Sequence, residues 1–235
     1  MLIPNKKALI GGLILTTTFL AVLIGMFMPF FDGQNALRAA DRLFNSIAKG
    51  STYYIGGLQK KAKTLQDSAF TANLKFDSQQ TADNAAKIIR ASGAQANIEG
   101  TKVAASGDLG KVLSAALTDS EAMFENKETL LRQKYGMPGK EALFVWWTAL
   151  REMQKDLTRQ KRFKLASFTG TVVKKGVEVG YNFFGIGSQT ASSRSRALIL
   201  SLIFYVIYTL WWGIAIMFLF EAFGLEMKAR AKKEV

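Results

Sequence analysis

The chain has 235 residues and a net charge of +13, and it contains neither histidine nor cysteine. This composition excludes a Ser-His-Asp triad, a cysteine nucleophile, a zinc or haem site built on His or Cys, and a cysteine-held iron–sulfur cluster. Carboxylates alone can still hold Mg²⁺ or Ca²⁺, but the sequence has no Asp-rich calcium loop and no P-loop. We therefore expect no cofactor, no metal and no enzymatic activity, with a carboxylate-based hydrolase as the enzyme alternative.

Two uncharged apolar segments, 8–31 and 197–220, are each long enough to cross a bilayer as a helix, which takes about 20 residues. The first follows Lys6 and Lys7 and so has the basic start of a signal peptide. Its apolar run exceeds the ~7–15 residues of a signal sequence, and no small-residue cleavage site follows closely. We therefore predict two transmembrane helices, the first of them an uncleaved anchor.

The charges beside the two segments predict their orientation. Residues 1–7 are basic, and the tail 221–235 carries four cations: Lys228, Arg230, Lys232 and Lys233. Positive charge near the ends of a span favours the cytoplasmic side. The region 32–196 is also basic, which favours the opposite orientation, but long loops cross largely regardless of charge. We predict a two-pass protein of the bacterial inner membrane, with both termini cytoplasmic and the main domain periplasmic.

The region after the first span begins with a helical pattern. Apolar residues recur at 3–4 spacing over 34–67, which predicts one helix or two stacked ones, with glycines that favour a kink. A second pattern follows the breakers in "YGMPG" and predicts a helix over 139–166. Its apolar residues include Trp146, which we expect in the core. Neither apolar stripe can stay exposed, so we expect the two helices to pack on each other.

Between these helices the pattern changes to that of a small β-α-β-β-α unit, 70–118. "FTANLKF" alternates as a half-buried strand, "DSQQTADNAAKIIRASG" is a capped helix ending at Gly93, and a hairpin is centred on Glu99 and Gly100. A helix follows under an Asp108 cap, and "TDSE" is typical of a capping box that opens another helix, 119–135. We expect the two helices of the unit to cover one face of its sheet.

The segment 167–196 contains "VVKKGVEVGYNFFGIGSQTASS". Its alternating valines and its Gly/Ser-rich end predict a small hairpin and a flexible linker into the second span. The fold class predicted for the whole chain is an α+β membrane protein. Two transmembrane helices flank an extracytoplasmic domain that contains long helices and the small β-α-β-β-α unit.

A family resemblance covers residues 70–139. "NLKFDSQQTADNAAKIIRASGAQANIEGTKVAASGDLGKVLSAAL", followed later by "YGMPG", resembles the ring-building motif of flagellar MS-ring and injectisome inner-ring proteins. In those families a strand, an Ala-rich helix ending in Gly, a hairpin and a second helix precede a Gly-hydrophobic-Pro turn. The resemblance implies oligomerisation into a ring in the membrane, with no bound cofactor.

Two stripes in the apolar segments are candidate contacts within the bilayer. Small residues at i, i+4 and i+8 permit close helix approach, either to the second span or to another subunit: Ala8, Gly12 and Thr16. Aromatic residues normally lie at the membrane interface, but Tyr205, Tyr208 and Trp212 share one face near the middle of the second span. Because lipid offers their polar groups no partners, we expect this stripe to face protein, and Glu221 to reach interfacial water.

A third candidate contact is basic and covers the end of the second predicted long helix and the start of the segment after it: Arg159, Lys161, Arg162, Lys164, Lys174 and Lys175. Such a cluster is either a solvated helix face or a surface for anionic lipid headgroups or an acidic partner. Nucleic acid is not expected as a partner of an extracytoplasmic domain.

These features favour a non-enzymatic scaffold or accessory subunit of a larger envelope complex, one that binds other membrane subunits, including copies of itself. A polysaccharide co-polymerase is a variant of this role, although the Pro-rich stretch usual before its second span is missing. The alternative is an extracytoplasmic sensor or solute-binding membrane protein. Against that alternative, the tail after Gly224 is too short for an output domain.

Overall fold

The computed structural model describes residues 4–225, which divide between two compact units. The terminal unit contains residues 4–47 and 189–225, and the central unit is Ala48–Ser188. Helices and one three-stranded sheet make up the described chain, which is therefore a mixed helical and β protein. The predicted basic tail residues, from Lys228 onward, lie outside the described residues.

The terminal unit is built on two long apolar helices, α1 (Lys6–Phe27) and α10 (Ser195–Ala222). By length and composition both are able to cross a membrane, and only 11% and 6% of their most apolar windows are buried. Side chains such as Leu200 and Leu202 are 66% and 65% exposed. Core helices of a soluble protein bury such residues, so these exposed apolar faces favour the two predicted spans.

The predicted helical region 34–67 forms two helices, which was one of the two alternatives. These are α2 (Ala36–Ser51) and α3 (Ile55–Lys63). The break coincides with side chains that bond back to the last turn of α2, since Ser51 and Thr52 both donate to Ala48 O. The expectation that this region packs on the second long helix is wrong, because the buried face of α3 lies mainly against α5 (Leu109–Phe124).

The predicted strand and hairpin are confirmed as β1 (Ala69–Lys75), β2 (Gln95–Glu99) and β3 (Lys102–Asp108). The order is β1-β3-β2, and both outer strands run antiparallel to β3. Strands β1 and β2 are therefore parallel to each other with β3 inserted between them, the split β-α-β arrangement. Alternate residues of β1 are buried and exposed, as the sequence predicted.

Helix α4 (Gln79–Ala91) starts at the predicted cap, where the Ser78 side chain accepts from Thr81 N. It covers the buried face of the sheet together with α7 (Gly139–Arg159), which packs along β1. The prediction that α5 would share this face is wrong. Helix α5 is buried over most of its circumference, and it packs against α3, α7 and the segments after residue 163.

The Asp108 cap of α5 is confirmed, since its carboxylate accepts from Lys111 N. The predicted helix start at "TDSE" is wrong, because α5 continues to Phe124 and the next helix, α6, is Glu128–Tyr135. The hydroxyls of Thr118 and Ser120 bond back to carbonyls four residues earlier and so do not cap a new helix.

The predicted helix over 139–166 and the hairpin after it are also corrected. Helix α7 ends at Arg159, a turn with Lys161 at φ 60° follows, and α8 is Phe163–Val172. A π-helical turn, Val173–Val177, then leads into α9, Glu178–Asn182. The valines that suggested strands are buried on one helical face, and glycines on the same face allow that helix to approach α5 closely.

Candidate intramembrane and surface contacts

The predicted small-residue stripe of α1 faces α10 of the same chain. Ala8 and Gly12 are buried, and a Cβ on Gly12 would lie 2.9 Å from the Leu219 side chain and 3.1 Å from the Leu219 nitrogen. Thr16 continues this face, and its hydroxyl has no hydrogen-bond partner within the described residues. The stripe thus allows the two helices to approach closely, as small residues do between helices in lipid.

The aromatic stripe of α10 is divided by the structure. Tyr208 stacks on Phe19 of α1 at a centroid distance of 4.2 Å, and Trp212 lies 4.7 Å from the same ring. Tyr205, by contrast, is 64% exposed. Two members of the predicted stripe therefore contact protein within this chain, and Tyr205 is left on the outward surface of the helix pair.

Two further contacts join α1 to α10 without having been predicted. Trp211 donates its indole N–H to the Leu15 carbonyl at 3.2 Å, which satisfies a polar group that lipid cannot. Asn5 caps α1 by accepting from Ala8 N, and its amide also donates to Glu221 at 3.0 Å. The sequence shows Trp211 and Trp212 as neighbours, but it does not show their register against α1. These contacts show that the two helices are antiparallel, so Asn5 and Glu221 lie at one end of the pair.

The predicted basic cluster contains residues with different roles. Arg159 pairs with Asp156 at 2.9 Å, and Arg162 donates to the Ala69 carbonyl on the free edge of β1. Asp156 and Gln160 also bond to this edge, through Asn73 N and Thr71 O. Side chains from the end of α7 thus occupy an edge that would otherwise accept another strand.

The remaining cations of the cluster lie further along the chain. Lys175 is placed 5.2 Å from the ring centroid of Tyr54. Lys161, Lys164 and Lys174 are exposed.

Lys164 borders a shallow cleft between α3 and α8, and we call its rim the α8 surface: Lys61, Phe163, Lys164 and Phe168. Phe163 is 62% exposed there, so an aromatic ring and cations meet on one accessible surface.

A buried carboxylate connects three helices, although the sequence placed it only at the start of a predicted helix. Asp119 of α5 accepts from Tyr135 OH at 2.5 Å, from the Trp146 indole at 2.8 Å and from Lys134 Nζ at 2.8 Å. Burial, together with the Asp119 charge, raises the pKa of Tyr135 well above its usual range, which keeps the hydroxyl protonated as a donor. All three donors hold the carboxylate in place, so Asp119 links α5, α6 and α7.

Within residues 4–225, no group of three or more Asp, Glu, His or Cys side chains is positioned to hold a metal ion. Comparisons with protein-family models, with curated proteins and with solved structures found no match to this chain.

Proposed function

We propose that this protein is a non-enzymatic, membrane-anchored scaffold or accessory subunit of a larger envelope complex, and that it assembles with copies of itself. The observation that supports this role best is the α8 surface. Aromatic residues such as the accessible Phe163 are enriched at protein contact surfaces. Phe163 is 62% exposed, and Lys61 lies 5.0 Å from the Phe168 ring beside it.

The anchor in this proposal is the antiparallel pair of α1 and α10. Their outward faces are apolar and exposed, which suits lipid, while their inner faces are occupied by each other. Because the pair is antiparallel, the chain leaves α1 and enters α10 at the same end. We propose that this end faces the periplasm and that both termini are cytoplasmic in the bacterial inner membrane.

The mode of assembly is proposed from the resemblance to the ring-building motif. The β-α-β-β-α order supports it, and the side chains that occupy the free edge of β1 argue against assembly by strand addition there. We propose that contacts between copies involve helical surfaces such as the α8 surface. A ring or a shorter oligomer built in this way needs no cofactor.

The size of the native particle tests this proposal. We expect the purified full chain in nanodiscs or mild detergent to run as several copies of the 25.9 kDa chain or as a larger complex. The double variant Phe163→Ser/Lys164→Glu should weaken assembly at least tenfold, about 1.4 kcal/mol, because it removes the ring and reverses a charge. Analytical ultracentrifugation over a concentration series measures the shift.

The matched control is Leu130→Ser/Lys75→Glu, which makes the same kinds of change at exposed positions away from the α8 surface. It should assemble as the unmodified chain does. An unmodified chain that stays monomeric at all concentrations, with no other subunit attached, contradicts the scaffold role. If both double variants weaken assembly equally, the α8 surface is not the contact between copies.

Orientation is tested by cysteine labelling, for which the chain offers a background without cysteine. Ala104 is exposed on the outer face of the sheet, so Ala104→Cys should react with a membrane-impermeant maleimide in spheroplasts. Ala231→Cys, in the basic tail, should react only after lysis. Reaction of Ala231→Cys alone in intact spheroplasts means that the proposed orientation is reversed.

A further inference from the structure

Helix α2 is amphipathic, with an apolar face and a polar face that do not overlap. At 3.6 residues per turn, its large apolar side chains fall within one sector of the helix, and the polar side chains fall within another. The apolar sector contains Leu37, Leu43, Phe44 and Ile47; the polar sector contains Arg38, Asp41, Arg42, Asn45, Ser46 and Lys49.

In α2, large apolar side chains are exposed while two polar side chains are buried, which is the reverse of what a helix of a soluble protein shows. Leu37 and Phe44 on the apolar face are 54% and 52% exposed, whereas Ser46 and Lys49 on the polar face are only 5% and 4% exposed. Ser46 O accepts from Gln189 N at 2.9 Å, so within the terminal unit protein covers the polar side around Ser46, while Arg38, Asp41 and Arg42 stay exposed. The apolar face is left uncovered, although water solvates it poorly.

Lys49, at the end of α2 that belongs to the central unit, shows the same arrangement. Its ammonium donates to the carbonyls of Phe183 and Ile186 at 3.1 and 2.6 Å. These bonds fix the polar side of the last turn of α2 against protein of the central unit. In each unit, therefore, a polar side chain near the end of α2 is buried, while Leu37 and Phe44 on the apolar face stay exposed.

The connection between α1 and α2 keeps α2 close to the end of the first candidate span. Only residues 28–35 intervene, and they include a tight turn in which Phe31 and Gln34 exchange two backbone hydrogen bonds. Asp32 and Gly33 have φ values of 50° and 74°, as a two-residue reverse turn requires. The turn shortens the distance that residues 28–35 can span between α1 and α2. It also places two exposed aromatic rings beside the span, since Phe30 is 75% and Phe31 51% exposed.

We propose that α2 is an interfacial helix that lies along the outer surface of the lipid bilayer. Leu37 and Phe44 enter the boundary between headgroups and acyl chains, as the apolar face of an amphipathic surface helix does. Arg38 and Arg42 are exposed on the polar side of the helix, where their long side chains reach lipid phosphates while the polar face meets water and protein. Phe30 and Phe31 extend the same contact toward α1.

This inference rests on the membrane anchoring in the proposed function but not on the scaffold role. It commits to lipid as the occupant of the apolar face because the face is continuous along the chain with a candidate span. A second copy of the chain on that face is the competing occupant, and the accessibility of spin labels to lipid-soluble and water-soluble reagents distinguishes the two.

The test uses single cysteines in the full chain, each carrying a nitroxide spin label, in vesicles of phosphatidylcholine and phosphatidylglycerol. Power saturation compares collisions with oxygen, which concentrates in lipid, and with a water-soluble nickel chelate. Labels at Leu37 and Phe44 should favour oxygen. A label at Arg42, which lies about 140–160° around the helix from these two residues, should favour nickel. All three side chains are exposed, so the labels do not disturb packing.

A label at Ile207 on the outward face of α10, which is 57% exposed, serves as the control for anchoring. If Ile207 favours oxygen while Leu37 and Phe44 favour nickel, the chain is anchored but α2 is not interfacial. If Leu37 and Phe44 are shielded from both reagents, protein covers the face and the inference is overturned in favour of a second copy. If Ile207 itself favours nickel, both the anchoring and the interfacial helix are wrong.

Discussion

Replacing Asp119 by alanine is expected to cost the central unit about 3–5 kcal/mol of its free energy of unfolding, since the change removes the acceptor for three donors at once. Tyr135 and Trp146 are 1% and 0% exposed, so bulk solvent does not reach their donors in place of the carboxylate. Lys134 is partly exposed and recovers most of its solvation. The main loss therefore comes from the two buried aromatic donors and from the cavity left among α5, α6 and α7.

The measurement is urea unfolding of the full chain in detergent, followed by tryptophan fluorescence, because Trp146 lies in the network. Asp119→Asn should lose less than Asp119→Ala, since its amide oxygen still accepts from one of the donors. Asp83→Ala, on the exposed side of α4, is the control and should change stability by no more than about 0.5 kcal/mol. Equal stability of Asp119→Ala and Asp83→Ala means that the carboxylate does not hold the three helices together.

The small sheet was predictable because its signals are local. The alternation in "FTANLKF", the turn at Glu99 and Gly100, and the caps at Ser78 and Asp108 each depend on neighbouring residues only, and each is present in the structure. The two long apolar segments were predictable for the same reason, because length and hydropathy alone set them apart.

The errors concern contacts between distant parts of the chain. The sequence shows that α5 and α7 are both amphipathic, but not which of them lies on the sheet, since that depends on how two helical surfaces fit. The valines near residue 173 have the β-branched side chains of a strand. Their helical conformation places Gly176 and Gly180 against Leu117 and Ser120 of α5, a contact between distant residues that local propensity does not record. The sequence predicted only that Asp119 begins a new helix, because its buried partners lie 16 and 27 positions away.

The candidate contacts were predictable in type but not in partner. Small residues in α1 and aromatic residues in α10 both indicated helix contact, and the structure provides it within one chain, where Gly12 lies against Leu219 and Tyr208 stacks on Phe19. Because the register of two helices depends on every side chain between them, Tyr205 could not be separated from Tyr208 by sequence. The reversed burial of α2 is likewise invisible until the polar face is seen bonded to the chain around Gln189.

Gly180→Ala is expected to destabilise the central unit by about 1–3 kcal/mol, because the added methyl group meets backbone rather than a flexible side chain. A Cβ on Gly180 would lie 2.5 Å from the Ser120 carbonyl oxygen and 3.0 Å from its Cα. To make room, α9 and α5 must separate, which loosens the contact next to the Asp119 network. The intrinsic preference of alanine for helices opposes this loss by up to about 1 kcal/mol, but it does not cancel it.

Gly57→Ala is the matched control for this substitution, since Gly57 also lies in a helix but a methyl group added there would meet no atom within 4 Å. At that position the lower entropy of the unfolded chain should act alone and stabilise the protein by about 0.5–1 kcal/mol. The two variants should therefore shift the urea midpoint in opposite directions. A shift of Gly180→Ala in the stabilising direction, equal to that of Gly57→Ala, contradicts the close approach of α9 to α5.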